Sequence, residues 1–128
     1  MPEWTCTAGN TLLIPSGRQG YHFYIILTNP FDYEGYPPQS CISVCICTIR
    51  KGPYDKTCII DAAAHPFIGS DSYVAYRHAR FDPAATVEQH IQSGLFIKKE
   101  PIGTKTLEKI ITGLKESPQT PNYLKELI

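Results

Sequence analysis

Residues 41–49 (CISVCICTI) carry apolar side chains at both odd and even positions. A strand with one wet face alternates apolar and polar residues, because successive side chains point to opposite sides. An unalternating run of this length instead predicts a central strand buried on both faces.

The segments before it fit the same sheet. Residues 10–16 (NTLLIPS) read as a first strand, and 21–28 (YHFYIILT), rich in aromatic and β-branched residues, as a second. Gly17-Arg18-Gln19-Gly20 between them has turn chemistry. Residues 29–40 (NPFDYEGYPPQS) hold three prolines and predict a long surface loop. After a turn around Gly52-Pro53, a short strand is expected at 57–60, a second long loop at 61–71 and a polar strand at 72–81 (SYVAYRHARF).

The period then changes. Asp82 is an N-cap for a helix with Pro83 at its first position, and Gly94 is placed to end it. Residues 95–98 suggest a short strand. Leu107, Ile110, Ile111 and Leu114 define a helix over 104–116, stopped by Pro118 and Pro121. Strands first and helices later predict an α+β fold: a small antiparallel barrel or bent sheet with C-terminal helices over one side or one end. The 128 residues make one domain, with a β-rich core at 9–81 and a mainly helical extension at 82–128.

Twelve Lys and Arg balance twelve Asp and Glu. Neutrality excludes the broad electrostatic footprint of a nucleic-acid coat or a polybasic membrane surface, and leaves room for a site that meets a few phosphates. No run approaches the ~20 apolar residues of a bilayer span, so no membrane role is expected. Met1-Pro2-Glu3-Trp4 lacks the pattern of a signal peptide, so a cytoplasmic protein is expected. In that setting the five cysteines (6, 41, 45, 47 and 58) predict no disulfide framework. Cys45-x-Cys47 lacks a companion pair at ligand spacing, so core packing is expected rather than zinc. A nucleophile pair of Cys58 and His65 has no glycine-rich or helix-terminal activation. Phosphate-loop, zincin and dinucleotide motifs are absent, and no cofactor is expected.

The densest functional cluster is Tyr73, Tyr76, Arg77, His78 and Arg80. Alternation would put Val74, Tyr76, His78 and Arg80 on one face, and Tyr73, Ala75, Arg77 and Ala79 on the other. Histidine moves protons near neutrality, arginine matches phosphate oxygens, and tyrosine stacks on bases. These are the parts that metal-free RNA cleavage requires. The competing reading is a solvated strand whose arginines pair with Asp61, Asp71 or Asp82. His65, before Pro66, and His22, at the start of the second strand, are secondary proton-transfer candidates.

Residues 9–17 (GNTLLIPSG) and 22–28 (HFYIILT), with Cys47-Thr48 closing the third strand and 72–80 (SYVAYRHAR) as a late one, resemble PemK/MazF-type toxins over about residues 9–81. The resemblance implies an SH3-like barrel and a homodimer. It further implies metal-independent cleavage of single-stranded RNA within a toxin–antitoxin system, with neutralisation by a cognate antitoxin protein. Where that family carries Arg-Pro at the start of its second strand, this chain has Tyr21-His22; the family's threonine is matched by Thr48. The expected catalytic residues are thus His78, Arg80 and Arg77, with His22, Thr48 and His65 secondary and Tyr73 and Tyr76 stacking on RNA. No metal ligand is expected.

Two other readings remain. One is a non-catalytic SH3-like protein-binding module whose loops 29–40 and 61–71 form a groove with Tyr33, Tyr36 and Phe67. The other is a metal-binding regulator that uses the cysteines.

Overall fold

A computed structural model describes residues 4–17 and 20–128. The strands are β1 (Thr11–Pro15), β2 (Tyr21–Ile26), β3 (Ser40–Thr48), β4 (Ile59–Ile60), β5 (Ser72–Pro83) and β6 (Ile97–Lys99). The helices are α1 (Ala84–Ser93), α2 (Thr104–Glu116) and α3 (Asn122–Lys125), with one 3-10 turn at Ala62–Ala64. The sheet is antiparallel in the order β4-β5-β3-β2-β1-β6, an open, curled half-barrel in an α+β fold. Arg18 and Gln19, the middle of the expected turn, lie outside the described residues. Among the described residues no helix is long and apolar enough to cross a membrane.

β3 is the inner strand that its composition demands. Its even positions, Ile42, Val44 and Ile46, join Leu13, Phe23, Ile25, Val74 and Tyr76 in a core closed by Ile110 and Leu114 of α2 and Leu124 of α3. Its odd positions, Cys41 and Cys45, join Leu12, Ile14, Tyr24 and Ile26 in a second core closed by Cys6, Phe96 and the α1 residues Ala84 and Val87. Both faces are therefore covered, where one covered side was expected. The second cover exists because β5 runs directly into α1. Pro83 caps α1 without a side-chain bond, and Asp82 is not the N-cap. Instead, Asp82 belongs to β5, opposite Cys41. Gly94 ends α1 at φ 85°, the left-handed conformation expected of it. The segment after β5 also returns one strand to the sheet, since β6 pairs with β1.

The cysteine expectation needs correction. Cys6 and Cys41 are joined by a disulfide across 35 residues, while Cys45, Cys47 and Cys58 are free thiols. The N-terminal segment is what brings Cys6 onto the face of Cys41. Trp4 Nε1 donates to the Thr11 carbonyl at 3.0 Å, and the Cys6 amide donates to Glu88 Oε2 at 2.9 Å. A pairing made by long-range packing has no local signature.

A break in β5 decides the geometry of the polar strand. Ser43 faces Arg80 and Cys45 faces Ala75, so two residues of β3 span five of β5. Such a bulge resets which side chains face which way. Val74 before it, and Tyr76 and Ala79 at the two ends of the unpaired stretch, all enter the α2 core. Arg77 and His78 are exposed within it.

Candidate functional site: a cationic, aromatic cleft at one end of the sheet

The start of β2, the end of β3 and the start of β5 meet at one end of the sheet. The loops after β3 and β4 rise beside them and enclose a cleft of about 540 Å³. Its sheet wall is His22, Phe23, Ile46, Cys47, Thr48, Ser72 and Tyr73, and its loop wall includes Arg50, Lys51, Tyr54 and Phe67. Tyr21 and Phe67 are 44% and 45% exposed, large for aromatic rings, so both offer open stacking surface. Lys99 adds a third cationic side chain near this wall, 5.4 Å from the Phe67 ring centroid. No carboxylate lines the cleft among the described residues.

His65 holds the loop wall in place. It is buried: its Nε2 donates to the Glu100 carbonyl at 2.6 Å, and its Nδ1 accepts from the Phe67 amide at 3.0 Å. Its ring packs on Phe23, which also stacks on Phe67 at 5.2 Å between centroids. With both nitrogens engaged, His65 positions Phe67 and is not free to swing over the site.

The expected residues separate into three groups. His22, Thr48 and Tyr73 come together in the cleft wall. Arg77 and His78 sit beside that wall, and Arg77 Nε donates to His78 Nε2 at 3.2 Å although strict alternation would part them. Partial burial, then the charges of Arg77 and His22, hold the His78 imidazole below its ordinary range. Arg80 and Tyr76 go elsewhere. Arg80 Nε pairs with Asp82 Oδ2 at 2.9 Å, and its guanidinium lies over the Tyr24 ring. The solvated-strand reading of this arginine, paired with Asp82, is what the structure has.

Tyr76 is fully buried beneath α2 and unavailable to stack on a base. Its hydroxyl donates to the Ile110 carbonyl at 2.7 Å. Tyr73 keeps the stacking role open: it is half-buried, opposite Cys47, with its ring 5.3 Å from that of Tyr54.

Arg50, Lys51, Cys47 and Tyr54 were missed in the sequence because 50–56 reads as a turn and the cysteines as core. The available signal was position: the basic pair follows the central strand, at the end where His22 begins its antiparallel neighbour. The two loops do not share one groove either. Phe67 stacks in the cleft, whereas Tyr36 packs on Phe81 and Tyr123 beside Tyr33, near the start of β3.

The described residues hold no cluster of three or more His, Cys, Asp or Glu arranged to bind a metal ion. Comparison with protein-family models, with curated proteins and with solved structures returns no match to this chain.

Proposed function

We propose that this protein is a metal-independent endoribonuclease of the toxin class, and that single-stranded RNA lies in the cleft. One observation carries the reading: a cleft that pairs Arg50 and Lys51 with Tyr21, Tyr54, Phe67 and Tyr73, contains no carboxylate among the described residues, and includes His22 and Thr48 in its wall. Cations meet phosphates and rings meet bases, the combination that single strands require. The depressed His78 imidazole is unprotonated at neutral pH and suits a general base. On this mechanism the phosphate draws the Arg77 guanidinium away from His78, the freed His78 Nε2 takes the 2′-hydroxyl proton, the 2′-oxygen bonds to phosphorus, and the bond to the 5′-oxygen breaks. His22 returns a proton to that oxygen, and the Arg77 guanidinium offsets charge on the phosphorane. Thr48 orients the phosphate by hydrogen bonding.

The reading keeps the likeness to PemK/MazF-type toxins, with the curled sheet as an SH3-like barrel. It makes the protein a cytoplasmic homodimer, silenced by a protein antitoxin that fills the same cleft. The test is purified protein with single-stranded RNA in EDTA. Products ending in a 2′,3′-cyclic phosphate and a 5′-hydroxyl are expected, with His78→Ala and His22→Ala inactive. Intact RNA, or a fully active His78→Ala, overturns the assignment.

A second reading, a non-catalytic protein-binding module, is favoured by the aromatic group of Tyr33, Tyr36 and Tyr123, exposed near the start of β3. It predicts a co-purifying protein partner lost on Tyr36→Ala, with no RNA cleavage.

A further inference from the structure

Cys45 and Cys47 lie on the same side of β3, their sulfurs 3.7 Å apart. Cys45 is buried, while Cys47 is half-buried and forms part of the cleft wall. Several groups face Cys47. They are His22 from β2, Cys45 from its own strand, Tyr73 and Arg77 from β5, and Arg50, Lys51 and Tyr54 across the cleft. Those that carry charge are cationic. The two thiols lie within hydrogen-bonding reach of each other, with either sulfur able to donate, and Tyr73 stands opposite Cys47 on β5. A bond donated by Cys45 to the Cys47 sulfur, with Tyr73 and the charges of His22 and Arg77 beside it, outweighs burial and lowers the Cys47 thiol to about 6. Cys45, as the donor and the more buried of the two, is pushed strongly the other way. Burial also raises Cys58.

We propose that Cys47 is a modification site that captures small, carboxylate-bearing disulfides as a mixed disulfide inside the cleft. The Cys47 thiolate forms a bond to one sulfur of the incoming disulfide, whose own S–S bond breaks. The departing thiolate takes a proton from water. One disulfide is consumed and one is formed, so no further oxidant is needed. Arg50 and Lys51, with no carboxylate opposing them among the described lining residues, favour an anionic reagent over a cationic one. Once Cys47 is capped, burial alone still disfavours the Cys45 thiolate, which slows its expulsion of the adduct. This chemistry is independent of whether the cleft holds RNA.

The test follows modification of the intact chain by site-resolved mass spectrometry. The probes are glutathione disulfide, the neutral hydroxyethyl disulfide and the cationic cystamine, over about pH 5 to about pH 9. Cys47 is expected to react first, at least about tenfold faster than Cys45 or Cys58, with an inflection well below that of an ordinary thiol. Glutathione disulfide should outpace cystamine, and the double variant Arg50→Ala, Lys51→Ala should erase that preference. Cys47→Ser should abolish the fast adduct; if that variant does not fold, the wild-type site-resolved rates decide alone. Cys47 reacting no faster than Cys58, an ordinary thiol inflection, or equal rates with anionic and cationic disulfides would overturn the proposal.

Discussion

The Tyr76 hydroxyl donates to the Ile110 carbonyl at 2.7 Å, and the ring reaches that far only because residue 113 of α2 is glycine. A Cβ at Gly113 would come within 2.8 Å of Tyr76 Cζ and closer still to its oxygen. Glycine to alanine inside a helix ordinarily stabilises by about 1 kcal/mol. Here the sign should invert, with Gly113→Ala destabilising by about 1–3 kcal/mol through overpacking. Tyr76→Phe should cost about 1 kcal/mol for the lost bond, and combining it with Gly113→Ala should recover part of the alanine cost. Urea unfolding of the two single variants and the double variant measures this; a stabilising Gly113→Ala would contradict the packing described.

Asp55 gives the fold an acid-sensitive joint. Burial alone would raise its carboxyl, but hydrogen bonds donated by the Ser117 hydroxyl at 2.5 Å and by the Thr57 hydroxyl and amide at 2.6 and 2.9 Å leave it below its usual range. A depressed folded-state value means that this stabilisation is full above the unfolded carboxylate range and is lost as pH falls through the folded one. Wild type should therefore lose more stability than Asp55→Asn does between neutral and acid pH. Ser117→Ala should cost about 1.5–3 kcal/mol at neutral pH. Chemical denaturation at several pH values reads both.

The Cys6–Cys41 bond closes a 35-residue span, so removing it restores disorder chiefly to the unfolded chain. Loop-closure entropy for a span of that size sets an upper expectation of about 3–4 kcal/mol. The paired variant Cys6→Ala, Cys41→Ala should show that loss in denaturant, and reduction of the wild type should match it. A loss near zero would mean that hydrogen bonds such as those of Trp4, the Cys6 amide and Asn10 hold the N-terminal segment without the disulfide.

Arg50→Ala with Lys51→Ala should weaken single-stranded RNA binding about tenfold or more and flatten its salt dependence by about two charges' worth. Arg80→Ala should leave binding nearly unchanged, because Asp82 already neutralises that guanidinium. Fluorescence titrations at several salt concentrations separate the two. Equal effects from both variants would move the binding surface off the cleft.

His65→Ala should free the Phe67 amide, seen as faster hydrogen exchange confined to 65–69, and should weaken RNA binding without altering single-turnover cleavage at saturating protein. A direct catalytic role would instead abolish cleavage at saturation.

Two elements were legible because periodicity alone decides them. The unalternating run of β3 had to be buried twice, and Leu107, Ile110, Ile111 and Leu114 could form one face only as a helix. The polar strand was misjudged at His78 and Ala79 because alternation holds only while register does, whereas Tyr76 keeps the face of Val74 and is buried because α2 covers that face. The two-against-five pairing of β3 with β5 comes from tertiary packing and leaves no mark in 72–81. The cleft was half visible: His22 was readable from its place at the start of the second strand, and Thr48 through a likeness to a toxin family. Arg50 and Lys51 were not, since a basic pair in a turn gains meaning only from what faces it. For Arg80 the pairing with Asp82 was one of two open readings, since spacing along a strand does not choose between an ion pair and a phosphate ligand.

The sheet ends in very little strand. β4 is two residues long, with the Ile59 carbonyl taken by Lys109 Nζ at 2.6 Å, and β6 is three, with lysines at 98 and 99. An open sheet ordinarily invites a neighbour's backbone to extend it, the first step towards fibrils. Here an approaching strand would find a rung or two and then ammonium groups. The molecule can thus be concentrated with little risk of growing edge to edge, and copies that associate must do so through side-chain surfaces.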